Sequence, residues 1–254
     1  MVSYVIPASM SFPSAQDGWA VGDGCDPRNA CEAVVARTTD GGVDWALVSP
    51  PVDPRQPSNG LQLLAASGLD AWVWGTDADG AAVFTASHDG GQTWQPIGTG
   101  SMVVSDLALD GGTVWAVEGC PASGGACADH VLSSPVTGGA WTDLGPMPLT
   151  AQVAPVTSVF SAGPVLTRAG RSAWVLTTSW YPTSPALVRS DEGGATWTTL
   201  GLPCQATMSP LALAAASPDD LMMVCGIPGV WPAPQEIWAS DDGGVTWPLR
   251  SREG

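Results

Sequence analysis

The chain has 254 residues, and its 24 acidic side chains outnumber 8 basic ones, all of them arginine, for a formal charge of −16. Such a surface repels nucleic acid and anionic membranes, so the charge argues against both as partners. The 31 glycines and 23 prolines on a 44% apolar background favour many short strands joined by tight turns.

No stretch of the chain predicts membrane insertion. The first 20 residues contain no apolar core of signal-peptide length, and no later run reaches the roughly 18 apolar residues of a membrane span. We therefore expect that a leader or anchor was removed before residue 1.

The chain opens with a short predicted strand, residues 2–6, that belongs to none of the repeating units after it. We interpret it as the outer strand of an absent unit or as a clasp. The first unit follows, with a turn from Ser14 to Asp17 that leads into a strand beginning Gly18-Trp19. This turn motif, Ser-x-x-Asp-x-Trp, returns at residues 67–72 and, with Met for Trp, at residues 217–222.

A second motif is an octet of the form Ser-x-Asp-Gly-Gly-x-Thr-Trp. Two copies fit at every fixed position, and we assign the turn to their residues Ser87, Asp89, Gly91, Thr93 and Trp94 and Ser240, Asp242, Gly244, Thr246 and Trp247. Residues 190–197 have Glu192 in the Asp place, residues 38–45 are a looser copy, and residues 134–141 are degenerate. The tryptophans that close the five copies are separated by 49, 47, 56 and 50 residues, a period typical of stacked or radially arranged units.

The octet predicts a hairpin turn. Its two glycines reach positive φ without strain, and its Ser and Asp side chains can bond backbone amides inside the turn. The Trp then begins the return strand and buries a large ring. We expect four antiparallel strands in each unit and one domain over 1–254, with units at about 8–48, 60–97, 103–144, 163–200 and 210–250.

The octet resembles the Asp box, or bacterial neuraminidase repeat, which marks β-propeller blades in sialidases, xyloglucan-degrading endoglucanases, sortilin-type receptors and photosystem II assembly factors. The resemblance implies an all-β fold, a propeller of four-stranded antiparallel blades of which five are recognisable. The repeat style is most similar to secreted bacterial repeat proteins and to the photosystem II assembly-factor type. In these families the box is a structural turn, so the resemblance implies little about activity. It leaves open a ring complete with five blades or a part of a larger propeller.

Alternate turns of a meander lie at opposite ends of the sheet, so the octets share one end and the second-to-third loops share the other with the linkers. All six cysteines fall at this second end: Cys25, Cys31, Cys120, Cys127, Cys204 and Cys225. The short spacings favour local disulfides for the first two pairs. Strand adjacency favours a disulfide between the last two, and disulfides favour an exported protein.

Candidate binding residues lie at the same end. Trp180 and Trp231 are the tryptophans placed in loops, and Trp180 is followed by Tyr181. An exposed aromatic cluster there could stack on a sugar or anchor a protein, or it could pack against nearby prolines. Arg28 and Arg55 are the arginines at this end.

Hydrolysis of a glycosidic bond needs two carboxyl groups across a cleft. The weak candidates are Asp106, Glu118 and Asp53. Each could instead be a solvent-facing or capping carboxylate with no catalytic role. The sialidase interpretation is weaker, because that family uses three arginines and a Tyr nucleophile paired with a Glu. The sequence predicts no metal site and no cofactor: Asp77-Ala78-Asp79-Gly80 lacks the later ligands of a calcium loop. We therefore expect an extracellular, non-catalytic module that binds a protein or carbohydrate, with a glycoside hydrolase as the alternative.

Overall fold

The computed structural model describes residues 3–53, 58, 60–77, 79–98, 103–119, 129–147, 165–177, 185–205, 207–227 and 234–253. Within these residues the secondary structure is entirely β, in five sheets of four strands that follow one another along the chain. We name the sheets blades 1 to 5. Every blade is a meander, because each strand is hydrogen bonded to the next strand in sequence.

The strand bounds repeat the same plan in each blade. Blade 1 contains β1 (Tyr4–Ser11), β2 (Gly18–Cys25), β3 (Cys31–Thr38) and β4 (Ala46–Val48). Blade 2 contains β5 (Gln62–Ala65), β6 (Ala71–Thr76), β7 (Ala82–Ser87) and β8 (Gln95–Pro96). Blade 3 contains β9 (Val103–Asp110), β10 (Thr113–Gly119), β11 (His130–Pro135) and β12 (Thr142–Pro146). Blade 4 contains β13 (Val165–Ala169), β14 (Ser172–Thr177), β15 (Ala186–Ser190) and β16 (Thr198–Leu200). Blade 5 contains β17 (Ser209–Ala215), β18 (Leu221–Gly226), β19 (Gln235–Ser240) and β20 (Leu249–Glu253).

The first strand corrects one expectation. The strand predicted at residues 2–6 is not separate from the repeat, since Tyr4 pairs with Cys25 and the pairing continues to Ser11 opposite Trp19. Between Pro7 and Ser9 the register shifts by one residue, which is a β-bulge. The bulge interrupts the alternation that a period of two requires, and this is why the two halves look like different strands in the sequence. A side chain at Gly22 would collide with the carbonyl oxygen of Ile6, so this close crossing requires glycine.

The octets form the expected hairpin turns between the third and fourth strands. In blade 2 the Ser87 hydroxyl accepts a hydrogen bond from the Gly91 amide (2.9 Å) and donates one to Asp89 (2.9 Å). Asp89 in turn accepts from the Thr93 amide (3.0 Å) and from the Thr93 hydroxyl (2.6 Å). Gly90 and Gly91 have φ of 78° and 84°, the left-handed region that glycine enters without strain.

The other octets keep all or part of this network. Blade 5 reproduces all of it with Ser240, Asp242 and Thr246. In blade 4 the Ser190 hydroxyl still accepts from the Gly194 amide (2.9 Å), while Glu192 accepts from the Thr196 hydroxyl (2.9 Å). The degenerate octet keeps two positive-φ glycines, Gly138 and Gly139. A Ser or Thr hydroxyl that accepts from the amide of the second glycine is therefore common to the turns of blades 1, 2, 4 and 5, and the acid reinforces it.

The chain divides into two compact units, one comprising residues 1–104 with 134–140 and the other comprising residues 105–133 with 141–254. In the first unit one apolar core joins blades 1 and 2, and its members include Trp19, Val35, Leu63 and Val73. In the second unit one core joins blades 3 and 4 through Trp115 and Leu166, and another joins blades 4 and 5 through Trp174 and Leu213. Each core thus lies between successive sheets rather than inside one.

Within each unit these cores define two packing faces for the blades. The back face carries the second-strand Trp, such as Trp19 or Trp174, and packs on the following blade. The front face carries the middle of the first strand and the octet Trp, such as Leu63 and Trp94, and packs on the preceding blade. Within each unit the described blades meet front to back.

Candidate functional site

The octet end of the blades carries several carboxylates, but those of the octets accept hydrogen bonds within their own turns. The hydrogen bond from the Thr93 hydroxyl is the main reason why the pKa of Asp89 is lowered to about 2. Thr246 lowers the pKa of Asp242 to about 2 in the same way. A carboxylate held ionised by its own turn is a poor proton donor at neutral pH. The chemistry of the octet therefore serves the fold.

One second-strand tryptophan in each of blades 1 to 4 has a basic side chain against its ring. The Arg37 guanidinium lies 5.7 Å from the ring centre of Trp19, Arg189 lies 5.5 Å from that of Trp174, and Arg168 lies 3.8 Å from that of Trp115. In blade 2 the imidazole of His88 meets Trp72 edge to face at 6.0 Å. Cations are attracted to the electron-rich face of an indole ring, so the three arginine pairs stabilise the back faces.

Arg189 also ties two blades together. Its guanidinium donates to the carbonyl oxygen of Gly243 in the next octet (3.0 Å), and the indole of Trp174 donates to the same oxygen (3.0 Å). In the first unit the indole of Trp19 donates across the blade boundary to the Ser67 carbonyl oxygen (3.1 Å). Arg37, Arg168 and Arg189 thus all have structural contacts.

Asp106, a candidate acid, lies on β9 and joins blade 3 to blade 4. One carboxylate oxygen accepts from the Leu166 amide (2.8 Å), and the other accepts from the Leu107 amide (2.9 Å). Burial raises the pKa of Asp106 to about 6, against the opposing effect of these two amides. Ser9 and Thr167 also accept from backbone amides of the next first strand, those of Leu63 and Ala215. Asp106 is therefore one of several side chains that link neighbouring first strands.

Glu118 and Asp53, the other two carboxyl candidates, both lie among the described residues. Glu118 is half-buried near the end of β10, and Asp53 is exposed in the linker that follows blade 1. The catalytic role of Asp106, Glu118 and Asp53 remains a prediction.

The loop end of blade 1 is closed by the Cys25–Cys31 disulfide, which confirms this pairing. The two cysteines are cross-strand partners on β2 and β3, and the hairpin 26–30 projects beyond them. Inside the hairpin Asp26 accepts from the amides of Arg28 (2.7 Å) and Ala30 (3.0 Å). The Tyr4 hydroxyl donates to Asn29 (2.8 Å), which fastens the tip to β1. The Arg28 side chain is exposed on this fixed tip.

The loop end of blade 2 has the same turn without the cysteines. Asp77 accepts from the amides of Asp79 (3.0 Å) and Ala81 (2.8 Å), as Asp26 does in blade 1. Gly80 has φ of 80°, and Asn29, at the matching place in blade 1, has φ of 61°. The resemblance of residues 77–80 to a calcium loop thus reflects a polar hairpin. In the described part of the chain no group of three or more His, Cys, Asp or Glu side chains is arranged to hold a metal ion.

The loop end of blade 5 contains a buried acid that sequence reasoning missed. The Cys204–Cys225 disulfide is present as strand adjacency predicts, and Cys225 pairs with Glu236 on the next strand. Glu236 is fully buried. Its carboxylate accepts from Gln205 (2.9 Å) and from the Trp238 indole (3.2 Å), and it forms an ion pair with the half-exposed Arg252 (2.7 Å). The sequence does not predict that Glu236 is buried, because a charged residue in a strand is normally expected to face solvent.

The remaining predicted residues lie outside the described residues. These are the binding candidates Trp180, Tyr181, Trp231 and Arg55 and the cysteines Cys120 and Cys127. In the described ranges no helix has the length and apolar character needed to cross a membrane.

Comparisons with known proteins identify the fold. No family model matches the chain, and no curated protein matches its sequence. The chain is similar to a solved structure of YCF48 bound to D1 peptide, with 19% identity and a TM-score of 0.57 over 96% of this chain and 66% of that one. It is similar to the GH74 xyloglucanase from Xanthomonas campestris, with 12% identity and a TM-score of 0.63 over 96% of this chain and 38% of that one. YCF48 from Cyanidioschyzon merolae gives 15% identity and a TM-score of 0.56 over 95% and 68%. At these identities the likeness shows the fold alone, and it confirms the predicted class: the chain is an all-β propeller protein whose five four-stranded sheets are its blades.

Proposed function

We propose that the chain is an exported, non-catalytic propeller that binds a protein or glycan through the loop ends of its blades. We also propose that its octets belong to the Asp-box class of propeller turns. The observation that carries the functional proposal is the covalent closure of the loop ends by Cys25–Cys31 and Cys204–Cys225. Loops commonly carry function, and loops fixed before binding lose less conformational entropy when a ligand arrives.

Two further observations support a protein ligand. One of the similar structures is YCF48 bound to D1 peptide, so a propeller of this kind can hold a peptide. The formal charge of −16 favours a partner with a basic surface, because opposite potentials speed encounter and select the partner. The disulfides support an extracellular location, where such bonds persist.

A glycoside hydrolase is the second candidate, and the xyloglucanase similarity favours it. The proposal of a binding role is preferred because Asp106, whose raised pKa suits a general acid, has both carboxylate oxygens occupied by backbone amides. A general acid needs a free oxygen that can reach the leaving group.

Peptide display and a glycan array on the purified chain test the proposal. The double variant W180A/W231A should weaken capture of the selected ligand by about tenfold or more, the effect of losing a central aromatic contact. V245A is the matched control at the octet end, since Val245 is exposed there. Unchanged capture by W180A/W231A, or an equal loss in V245A, contradicts the proposal.

The hydrolase alternative needs its own assay, with xyloglucan and chromogenic glycosides as substrates. We expect no turnover. Turnover that disappears in D106N would instead assign Asp106 to catalysis and reject the binding-only role.

A further inference from the structure

Glu236 is a buried acid at a position where the other blades do not use one. The matching residues of blades 1 to 4, four positions before the octet Ser or Thr, are Val34, Val83, His130 and Ala186. The two valines are buried, and His130 is partly exposed and bonded to Asp143. A buried ion pair can often be replaced by apolar side chains without loss of stability. The stability of a blade therefore does not by itself account for Glu236.

The Glu236 carboxylate holds side chains from three separate places in blade 5. Its Oε1 atom accepts from the Gln205 amide (2.9 Å) and pairs with the Arg252 guanidinium (2.7 Å). Its Oε2 atom accepts from the Trp238 indole (3.2 Å), and Trp238 packs on the core between blades 4 and 5. Because Glu236 is fully buried, it does not contact a ligand itself, and its effect is to orient its three partners.

Two of these partners reach solvent. The Arg252 side chain is 54% exposed, and Gln205 is exposed in the linker that enters blade 5. Gln205 follows Cys204, whose disulfide to Cys225 fixes the linker on β18, and Arg252 lies opposite Glu236 in the β19–β20 ladder. Both side chains bond the same carboxylate oxygen, so their polar groups lie side by side. The loop end of blade 5 thus presents an amide and a guanidinium that are held in place before a ligand arrives.

The chemistry of this pair favours a neutral ligand that carries hydroxyl groups. The charge of Arg252 is balanced by Glu236, and the formal charge of −16 on the chain opposes an anionic ligand. A guanidinium presents five N–H donors in one plane, an amide both donates and accepts, and a hydroxyl can answer either group because it also does both. Neighbouring hydroxyls of a sugar ring can therefore bond to both side chains at once.

We propose that Gln205 and Arg252 form a binding site for a neutral glycan at the loop end of blade 5, with Glu236 as their positioning residue. This inference rests on the proposed function, from which it selects the ligand class for this loop end and names the residues that contact it.

An array of neutral oligosaccharides, followed by calorimetric titration of the oligosaccharide that binds best, tests the site. Q205A and R252M should each weaken binding by about tenfold or more, because each removes a direct hydrogen-bonding group. T207A and R250M are the matched controls, since Thr207 is exposed in the same linker and Arg250 is exposed on the same strand. Both controls should bind like wild type. If R252M loses the native circular dichroism spectrum, R252K, which keeps the charge but not the planar fork, replaces it.

E236Q separates a positioning role from a structural one. Glutamine keeps the size of the side chain but removes the charge that orients Arg252, so binding should fall by about tenfold while the circular dichroism spectrum stays native. E236Q/R252M should regain part of the stability that R252M loses, and yet it should bind no better than R252M. Binding that recovers together with stability would assign Glu236 to the fold alone and overturn the proposal.

The remaining outcomes distinguish this site from the proposed function. Glycan binding that Q205A, R252M and E236Q leave intact overturns the site, while the proposed function stands. Binding of displayed peptides or of acidic glycans, without any neutral glycan, also overturns the site alone. A chain that binds neither peptides nor glycans contradicts both the site and the proposed function.

Discussion

The carboxyl group of Asp106 should make the stability of the protein depend on pH in a defined direction. Its pKa rises from the usual 3.8 to about 6 in the fold, a shift of about 2 units or, at 1.36 kcal/mol per unit, about 3 kcal/mol at most. The side chain is only part-buried, so solvent screening reduces the expected effect to about 1 to 3 kcal/mol.

Proton binding by Asp106 determines whether the free energy of unfolding rises or falls with pH. Because the folded state holds the proton more tightly than the unfolded state, the free energy of unfolding should fall as pH rises from about 4 to about 6 and level off above that. Asp89 and Asp242 act in the opposite direction, since their pKa values are lowered to about 2. Their contribution is lost as pH falls from about 4 to about 2, below this window.

D106N isolates the effect. Asparagine is neutral, and its carbonyl oxygen can still accept from one of the two amides, so the fall between pH 4.5 and 7.5 should disappear. Urea unfolding followed by tryptophan fluorescence measures it, with the exposed Asp241 changed to Asn as the control that keeps the wild-type slope. An unchanged slope in D106N would show that this carboxyl is not buried between the blades as described.

Three further changes test other parts of the structure. S240A removes the hydroxyl that accepts from the buried Gly244 amide at 2.8 Å, so the free energy of unfolding should fall by about 1 to 3 kcal/mol in a urea titration. An unchanged free energy of unfolding would contradict the role of the octet serine. C204A/C225A removes a disulfide that spans 21 residues and should lower the free energy of unfolding by about 3 kcal/mol in the same titration. An unchanged urea midpoint would contradict a stabilising role for this disulfide. R252M leaves the charge of buried Glu236 without its ion pair and should lower the free energy of unfolding by up to about 3 kcal/mol. The double variant E236Q/R252M should recover part of this loss. If it recovers none, the lost ion pair does not explain the loss of stability.

The sequence predicts most of the fold because the octet is a local structure. Ser87, Asp89, Gly91 and Thr93 satisfy one another within seven residues, so five copies at a steady spacing reveal five turns. The Cys204–Cys225 disulfide is predictable for a related reason, since a meander places the start of one strand beside the end of the next. β1 is misread because its bulge after Pro7 breaks the period of two.

The interactions between blades could not be predicted in the same way. Trp19 contacts Ser67, which is 48 residues away, and Arg189 contacts Gly243, which is 54 residues away. No sequence motif marks contacts at these separations, because the packing of successive sheets determines which residues meet. The sequence marks Asp106 as a candidate acid, but its role as an acceptor for the Leu166 amide depends on that packing.

Hydrogen exchange on the chain with and without a peptide or glycan selected by display tests the central claim most directly. We expect ligand-dependent protection of loop-end amides, in the hairpins 26–30 and 77–81 and in the segments around Trp180 and Trp231. Protection confined to the octets at 38–45, 87–94, 190–197 and 240–247 would contradict the account, because it would assign recognition to the turns that hold the blades together.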